Sequence, residues 1–176
     1  MFNYQSRRVK PTTQQGFLTC HGAQLFYEMS GTGDTVVFLH GAPLDSRMWE
    51  PQFAALRDKH QILRFDMRGM GQSVDPGGPF TLYEDLHALL QQLNVQHATL
   101  VGASFGCYAG VEFALARPEM VNRLILLCPG GFAPPSADRR QRLQKLQEQF
   151  EQGNLEEALE MNLHELLQAT DRAMPR

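Results

Sequence analysis

Long apolar runs are the clearest absence in this sequence. Across its 176 residues no uninterrupted stretch approaches the ~20 apolar residues of a membrane-spanning helix, so no membrane partner is expected. Arg7, Arg8 and Lys10 stand near the N-terminus without an apolar segment after them. A secretory signal peptide needs that segment, so the expected compartment is the cytoplasm. Charge of one sign is not in excess either. The formal net charge is −3, which gives no electrostatic reason to expect nucleic acid or an anionic membrane as partner. Cysteine is sparse: Cys20, Cys107 and Cys128 are odd in number and have neither metal-ligand nor redox spacing. Each lies among apolar or small residues, so all three are expected to be buried free thiols in a reducing compartment. Internal repeats are also missing.

What is present is ordinary for a folded domain: 43% hydrophobic and 20% charged residues over a length that supports a sizeable core. Short apolar runs alternate with helical patterns, which predicts an α/β fold with a mostly parallel sheet. The strand candidates are Phe17–Cys20, Gln24–Met29, Thr35–Leu39, Gln61–Phe65, Ala98–Val101 and Arg123–Cys128. Arg123–Cys128, with four aliphatic residues in a row, reads as the clearest central strand. A short helix is expected around Met48–Lys59. Thr81 and Glu84 form a capping-box pattern for another, with Leu82, Leu86, Leu89, Leu90 and Leu93 on one face. A third runs from Ser104 to about Arg117, where Pro118 stops it. After Gly131 the composition changes. Pro134 and Pro135 precede two polar amphipathic helices, one over about Ala137–Gln152 and one starting near Asn154, with Gly153 between them. The expected division is a core over 1–133 and a helical segment over 134–176.

Chemistry concentrates at Gly102-Ala103-Ser104-Phe105-Gly106, which follows a strand pattern and opens a helical one. Such a turn projects the serine hydroxyl from the end of the sheet, and its flanking glycines avoid collisions with neighbouring backbone. A helix N-terminus there also favours developing negative charge. Taken alone, the pentapeptide equally fits a serine that merely caps its helix. Two further segments occupy matching places: His40-Gly41-Ala42-Pro43 after Thr35–Leu39, and Asp66-Met67-Arg68-Gly69-Met70-Gly71-Gln72-Ser73 after Gln61–Phe65.

In this order the three motifs resemble the α/β-hydrolase superfamily over roughly Phe17 to Gly131, and Leu39–Trp49 is most similar to its esterase, perhydrolase and enol-lactonase branches. The resemblance implies a three-layer α/β/α sandwich, present as its N-terminal portion, with the start of a helical lid after residue 133. It implies Ser104 as a nucleophile that forms an acyl-enzyme on a small ester-like substrate, with no cofactor and no metal. The backbone N–H groups of Phe105 and Ala42 would form the oxyanion hole, and His40, Gly41, Asp66, Gly102 and Gly106 would be structural. Because serine stands where epoxide hydrolases and haloalkane dehalogenases carry aspartate, acyl chemistry is implied over alkyl-enzyme chemistry.

The family's acid and histidine follow the nucleophile in the chain, and neither is recognisable here. Pro129, Gly130, Gly131 and Phe132 follow the Arg123–Cys128 strand, and none is acidic. His21, His60, His87 and His97 read as turn or exposed-helix residues, and His164 as a surface residue of the second polar helix. The expectation is therefore a C-terminally truncated serine hydrolase. The alternative from another class is a non-catalytic binding or interaction protein that keeps the pocket. Dinucleotide binding is disfavoured, since the glycine spacing differs from Gly-x-Gly-x-x-Gly. Without a later strand, one edge of Arg123–Cys128 is expected to be free and apolar, promoting self-association.

Overall fold

The computed structural model describes residues 11–129, 137–154 and 157. They divide into two compact units, Met1–Gly130 and Gly131–Arg176.

The first unit is built on one sheet of six strands: β1 (Thr13–Cys20), β2 (Ala23–Ser30), β3 (Thr35–Leu39), β4 (Gln61–Phe65), β5 (Ala98–Ala103) and β6 (Val121–Leu127), in the order β1-β2-β4-β3-β5-β6. β1 pairs with β2, and β2 with β4, in antiparallel register. β4, β3, β5 and β6 run parallel. β1 begins earlier than its apolar stretch because Thr13–Gly16 pairs in full register with Tyr27–Ser30. Ladder pairing extends a strand that hydrophobicity alone does not mark.

Helices cover both faces, and β3 shows how. Val37 and Leu39 enter a cluster with Leu86, Leu89 and Leu90 of α2 (Leu82–Gln92) and Ala109 and Phe113 of α3 (Phe105–Ala116). Phe38, between them in sequence, enters a second cluster with Ile62, Val101, Trp49 and Phe53. Successive strand residues point to opposite faces, so α2 and α3 lie on one side. A 3-10 turn (Ser46–Trp49) and α1 (Glu50–Leu56) lie on the other. The layering is α/β/α. Phe38 stacks on Trp49 with centroids 4.7 Å apart, and each such buried side chain contributes about 1.5–3 kcal/mol.

Arg64 of β4 faces the second cluster and is 5% exposed. Its guanidinium lies 4.4 Å from the Phe53 ring centroid and pairs with Glu28 at 2.7 Å and Glu50 at 2.6 Å. Those two carboxylates make a buried cation tolerable.

Two expectations are corrected. The reading of Arg123–Cys128 as a central strand gives way, while the free apolar edge expected of it is present: among the described residues β6 pairs with β5 only, with Ile125 and Leu127 44% and 43% exposed. An apolar run reports a strand's composition, not its rank in the sheet. Cys128, just beyond β6, is exposed rather than buried, while Cys20 and Cys107 are buried.

The second unit contains α4 (Ala137–Glu151), a polar helix with an Asp138–Arg142 pair at 2.8 Å. It closes at Gly153, whose φ is +77°, where Asn154 N–H donates to Gln149 O at 2.9 Å. The second polar helix, with His164, lies outside the described residues. No described helix is long and apolar enough to cross a membrane.

Candidate active site

Ser104 is the single residue between the end of β5 and the start of α3. Its backbone has φ 47° and ψ −109°, outside the regions open to L-residues. Neighbouring main chain holds it there. Ser104 N–H donates to Leu127 O at 3.0 Å, and Cys107 N–H donates to Ser104 O at 3.0 Å. The side chain makes no capping bond and the residue is exposed. Two glycines permit the tightness of this turn. A Cβ on Gly102 would lie 2.5 Å from Gly106 O and 2.9 Å from Cys107 N; one on Gly106 would lie 2.6 Å from Leu39 C and 2.8 Å from His40 O. β3, β5 and α3 therefore meet backbone against backbone.

The loop that leaves β3 runs beside this turn. A Cβ built on Gly41 would stand 3.4 Å from Ser104 Cβ and 3.4 Å from Ala103 O. Gly41 O accepts from Leu44 N–H at 2.9 Å, closing a tight turn around Ala42 and Pro43, which are joined by a cis peptide. Gly41 N–H points to Met48 Sδ at 3.4 Å. Ala42 is exposed. Phe105 opens α3, so its N–H has no acceptor within the helix.

His40 and Asp66 stand behind the loop. His40 is fully buried. Its Nε2 accepts from Met67 N–H at 2.9 Å, and its Nδ1 lies 3.0 Å from Gly41 O. These partners select the tautomer with hydrogen on Nδ1. Burial pushes its pKa below the ordinary histidine range, while the Gly41 carbonyl bond and the charges of Asp66 and Asp45 oppose that fall. With both nitrogens engaged, the ring joins the Gly41 loop to the loop after β4. Asp66 ties the same loops together: Oδ1 accepts from Ser46 N–H and Oδ2 from Gln72 N–H, each at 2.8 Å. Gly71 lies against this carboxylate with φ +55°, and a Cβ there would sit 2.5 Å from Asp66 Cγ.

The Ser104 turn, Gly41, Ala42 and Phe105 are thus brought together, with His40 and Asp66 beneath. The other described histidines are elsewhere. His60 precedes β4 and His97 precedes β5, at the strand ends opposite Ser104; His97 Nδ1 lies 2.9 Å from Glu119 O. His21 is in the β1–β2 turn, and His87 is on α2 with its ring 6.5 Å from that of Phe113. Among the described residues no histidine is hydrogen-bonded to Ser104, and no three His, Cys, Asp or Glu side chains form a group able to hold a metal ion.

Sequence reasoning missed the Arg68–Asp85 pair. Arg68 Nε and Nη2 donate to the two Asp85 oxygens at 2.7 and 2.6 Å, and Nη2 also reaches Cys20 O and His21 O at 3.2 and 3.3 Å. The Asp85 bond, set against the cost of burial, raises the Arg68 pKa. This fork fixes the loop after β4 to α2 and to the β1–β2 turn. Its one sequence signal is the Arg inside Asp-x-Arg-Gly, which does not identify the partner.

Residues 34–158 match the family described as alpha/beta hydrolase fold. A cis-3-alkyl-4-alkyloxetan-2-one decarboxylase from Shewanella oneidensis is 38% identical over 126 residues, covering 68% of this chain and 40% of that protein. A thermophilic esterase from Thermogutta terrifontis superposes with a TM-score of 0.66 at 30% identity, over 77% of this chain and 53% of its own. A haloalkane dehalogenase from Agrobacterium tumefaciens superposes at 0.60 with 28% identity, over 65% of this chain and 40% of its own. The likeness reaches an esterase and a dehalogenase alike, so it marks the family and not one branch. The chain spans between 37% and 42% of the length of the curated relatives it matches.

Proposed function

The chain belongs to the α/β-hydrolase fold family, and from that premise we propose a serine hydrolase site in which Ser104 attacks the carbonyl carbon of a small ester-like substrate. The observation that carries this reading is the exposed Ser104 side chain, held at φ 47° beside the Gly41–Ala42 loop. As Oγ adds to the carbonyl, negative charge collects on the carbonyl oxygen. The main-chain N–H groups of Ala42 and Phe105 are assigned to receive it, at about 3 kcal/mol of barrier lowering for each such donor. Collapse of the adduct expels the leaving group and gives an acyl-enzyme on Ser104, which water then cleaves. A serine in place of a carboxylate nucleophile supports acyl over alkyl transfer.

Efficient attack also needs a base within hydrogen-bond reach of Oγ. His40 cannot serve without releasing Met67 N–H or Gly41 O, and no other described histidine contacts Ser104. That observation favours a second reading: a ligand-binding protein that keeps the oxyanion pocket without turnover.

A fluorophosphonate probe separates the two. Labelling at Ser104, with hydrolysis of a short p-nitrophenyl ester that Ser104→Ala abolishes, supports the hydrolase. Folded protein that binds the ester yet resists labelling supports the binder. Hydrolysis that survives Ser104→Ala removes Ser104 as the nucleophile.

A further inference from the structure

Two thiols flank the main chain that holds Ser104, and the hydrolytic reading uses neither. Cys107, in the first turn of α3, is fully buried, with Sγ 3.2 Å from Gly102 O and 3.4 Å from Leu127 O. Leu127 O also receives the Ser104 N–H. Cys128 is the next residue after Leu127; it is exposed, with φ 51°. Cys107 Sγ lies 3.4 Å from Leu127 O, and peptide dimensions then keep it within roughly 6 Å of the Cys128 Cα; joining the two sulfurs requires Cys128 to turn toward α3. Burial raises the Cys107 pKa, and Cys128 beside it adds to the rise. Cys20 has other neighbours: its sulfur lies 3.6 Å from Gln92 Nε2, and burial pushes its thiol up to about 11.

We propose that Cys107 and Cys128 are a peroxide-responsive dithiol–disulfide pair at the base of the Ser104 turn. The exposed Cys128 thiolate attacks one oxygen of hydrogen peroxide; the O–O bond breaks, hydroxide leaves, and Cys128 becomes a sulfenic acid. Cys107 sulfur then attacks Cys128 sulfur, the S–O bond breaks, and water departs with the Cys107 proton. Two thiols and one peroxide become one disulfide and two waters. Exposure sets the order, since oxidant meets Cys128 first and Cys107 resolves. The bond joins the end of β6 to the first turn of α3, the two segments that grip the Ser104 main chain.

The test is a tryptic mass map of the folded chain after exposure to dilute hydrogen peroxide, without reductant. The expected product joins the peptide holding Cys107 to the one holding Cys128, lighter by two hydrogens and released by dithiothreitol. Cys20→Ser leaves it unchanged, and Cys107→Ser arrests Cys128 as a sulfenic acid that dimedone traps. The proposal is overturned if the unsubstituted folded chain yields only Cys128–Cys128 dimers or Cys128 sulfinic acid. It is also overturned if Cys107 oxidises as fast in Cys128→Ser as in the parent. The readout is a peptide mass, so it stands or falls separately from the role assigned to Ser104.

Discussion

Replacing Ser104 with glycine is expected to stabilise the protein while abolishing any chemistry of its hydroxyl. The backbone at φ 47°, ψ −109° is outside the regions of an L-residue, and holding a side chain in such a place costs about 1–3 kcal/mol. Glycine adopts it freely but loses more conformational freedom on folding, about 0.5–1 kcal/mol. No capping bond is forfeited, because the serine side chain makes none. The net gain is therefore about 1 kcal/mol, or roughly 3 °C in Tm for a chain of this size. Ser104→Ala is the control, since it loses the same hydroxyl but keeps Cβ and hence the strain. Thermal and urea unfolding of the three proteins give the answer. If the glycine variant is no more stable than the alanine variant, the turn stores no strain and the account of how Ser104 is presented fails.

Other predictions follow from the surrounding contacts. Asp66→Asn places an NH2 group where Ser46 or Gln72 N–H must donate; losing a bond to a charged acceptor and stranding a donor is expected to cost about 3 kcal/mol, and denaturation showing under about 0.5 kcal/mol would refute the bridging role. Gly106→Ala drives a methyl into Leu39 and His40 backbone, which cannot rotate away, so a loss of about 3 kcal/mol or more is expected, and unchanged stability would contradict the close approach. The Arg47 hydrogen bond lowers the Asp45 pKa from 3.8 to about 2. A depressed carboxylate contributes stability that is present above its unfolded pKa and lost as pH falls through its folded one. The stability–pH slope between about 4 and about 2 is thus expected to be shallower in Asp45→Asn, read by urea melts across that range. Finally, self-association is expected through the β6 edge, where Ile125 and Leu127 are exposed; light scattering should show it weaken in Ile125→Lys, and a parent that stays monomeric at high concentration would count against it.

The sheet and its layering were legible because the strands are short apolar runs ended by turn residues, and the helices carry their own stop signals. Thr81 caps α2, its Oγ1 3.4 Å from Glu84 N–H, and Pro118 ends α3. The crowding around Ser104 was legible for a related reason, since two glycines around one serine between a strand and a helix restrict what backbone can pass there. The buried ion pairs were not. Arg64 meets Glu28 from 36 residues away and Arg68 meets Asp85 from 17, and pairing across such separations leaves no local pattern. The composition of β6 taken alone reads as a central strand, because composition does not encode strand order. Cys128 misled for the same reason: its apolar neighbours belong to a strand that does not enclose it.

At Gly106 the junction between β3 and α3 narrows to main chain against main chain, and this decides how mutation can reach it there. A contact between side chains can drift by a methylene at a time, with neighbours repacking to follow. Where Gly106 touches Leu39 and His40 backbone, no smaller residue exists and every larger one intrudes. The spacing between the serine and its loop is thus insulated from gradual change in the core around it, and alters only by an abrupt step.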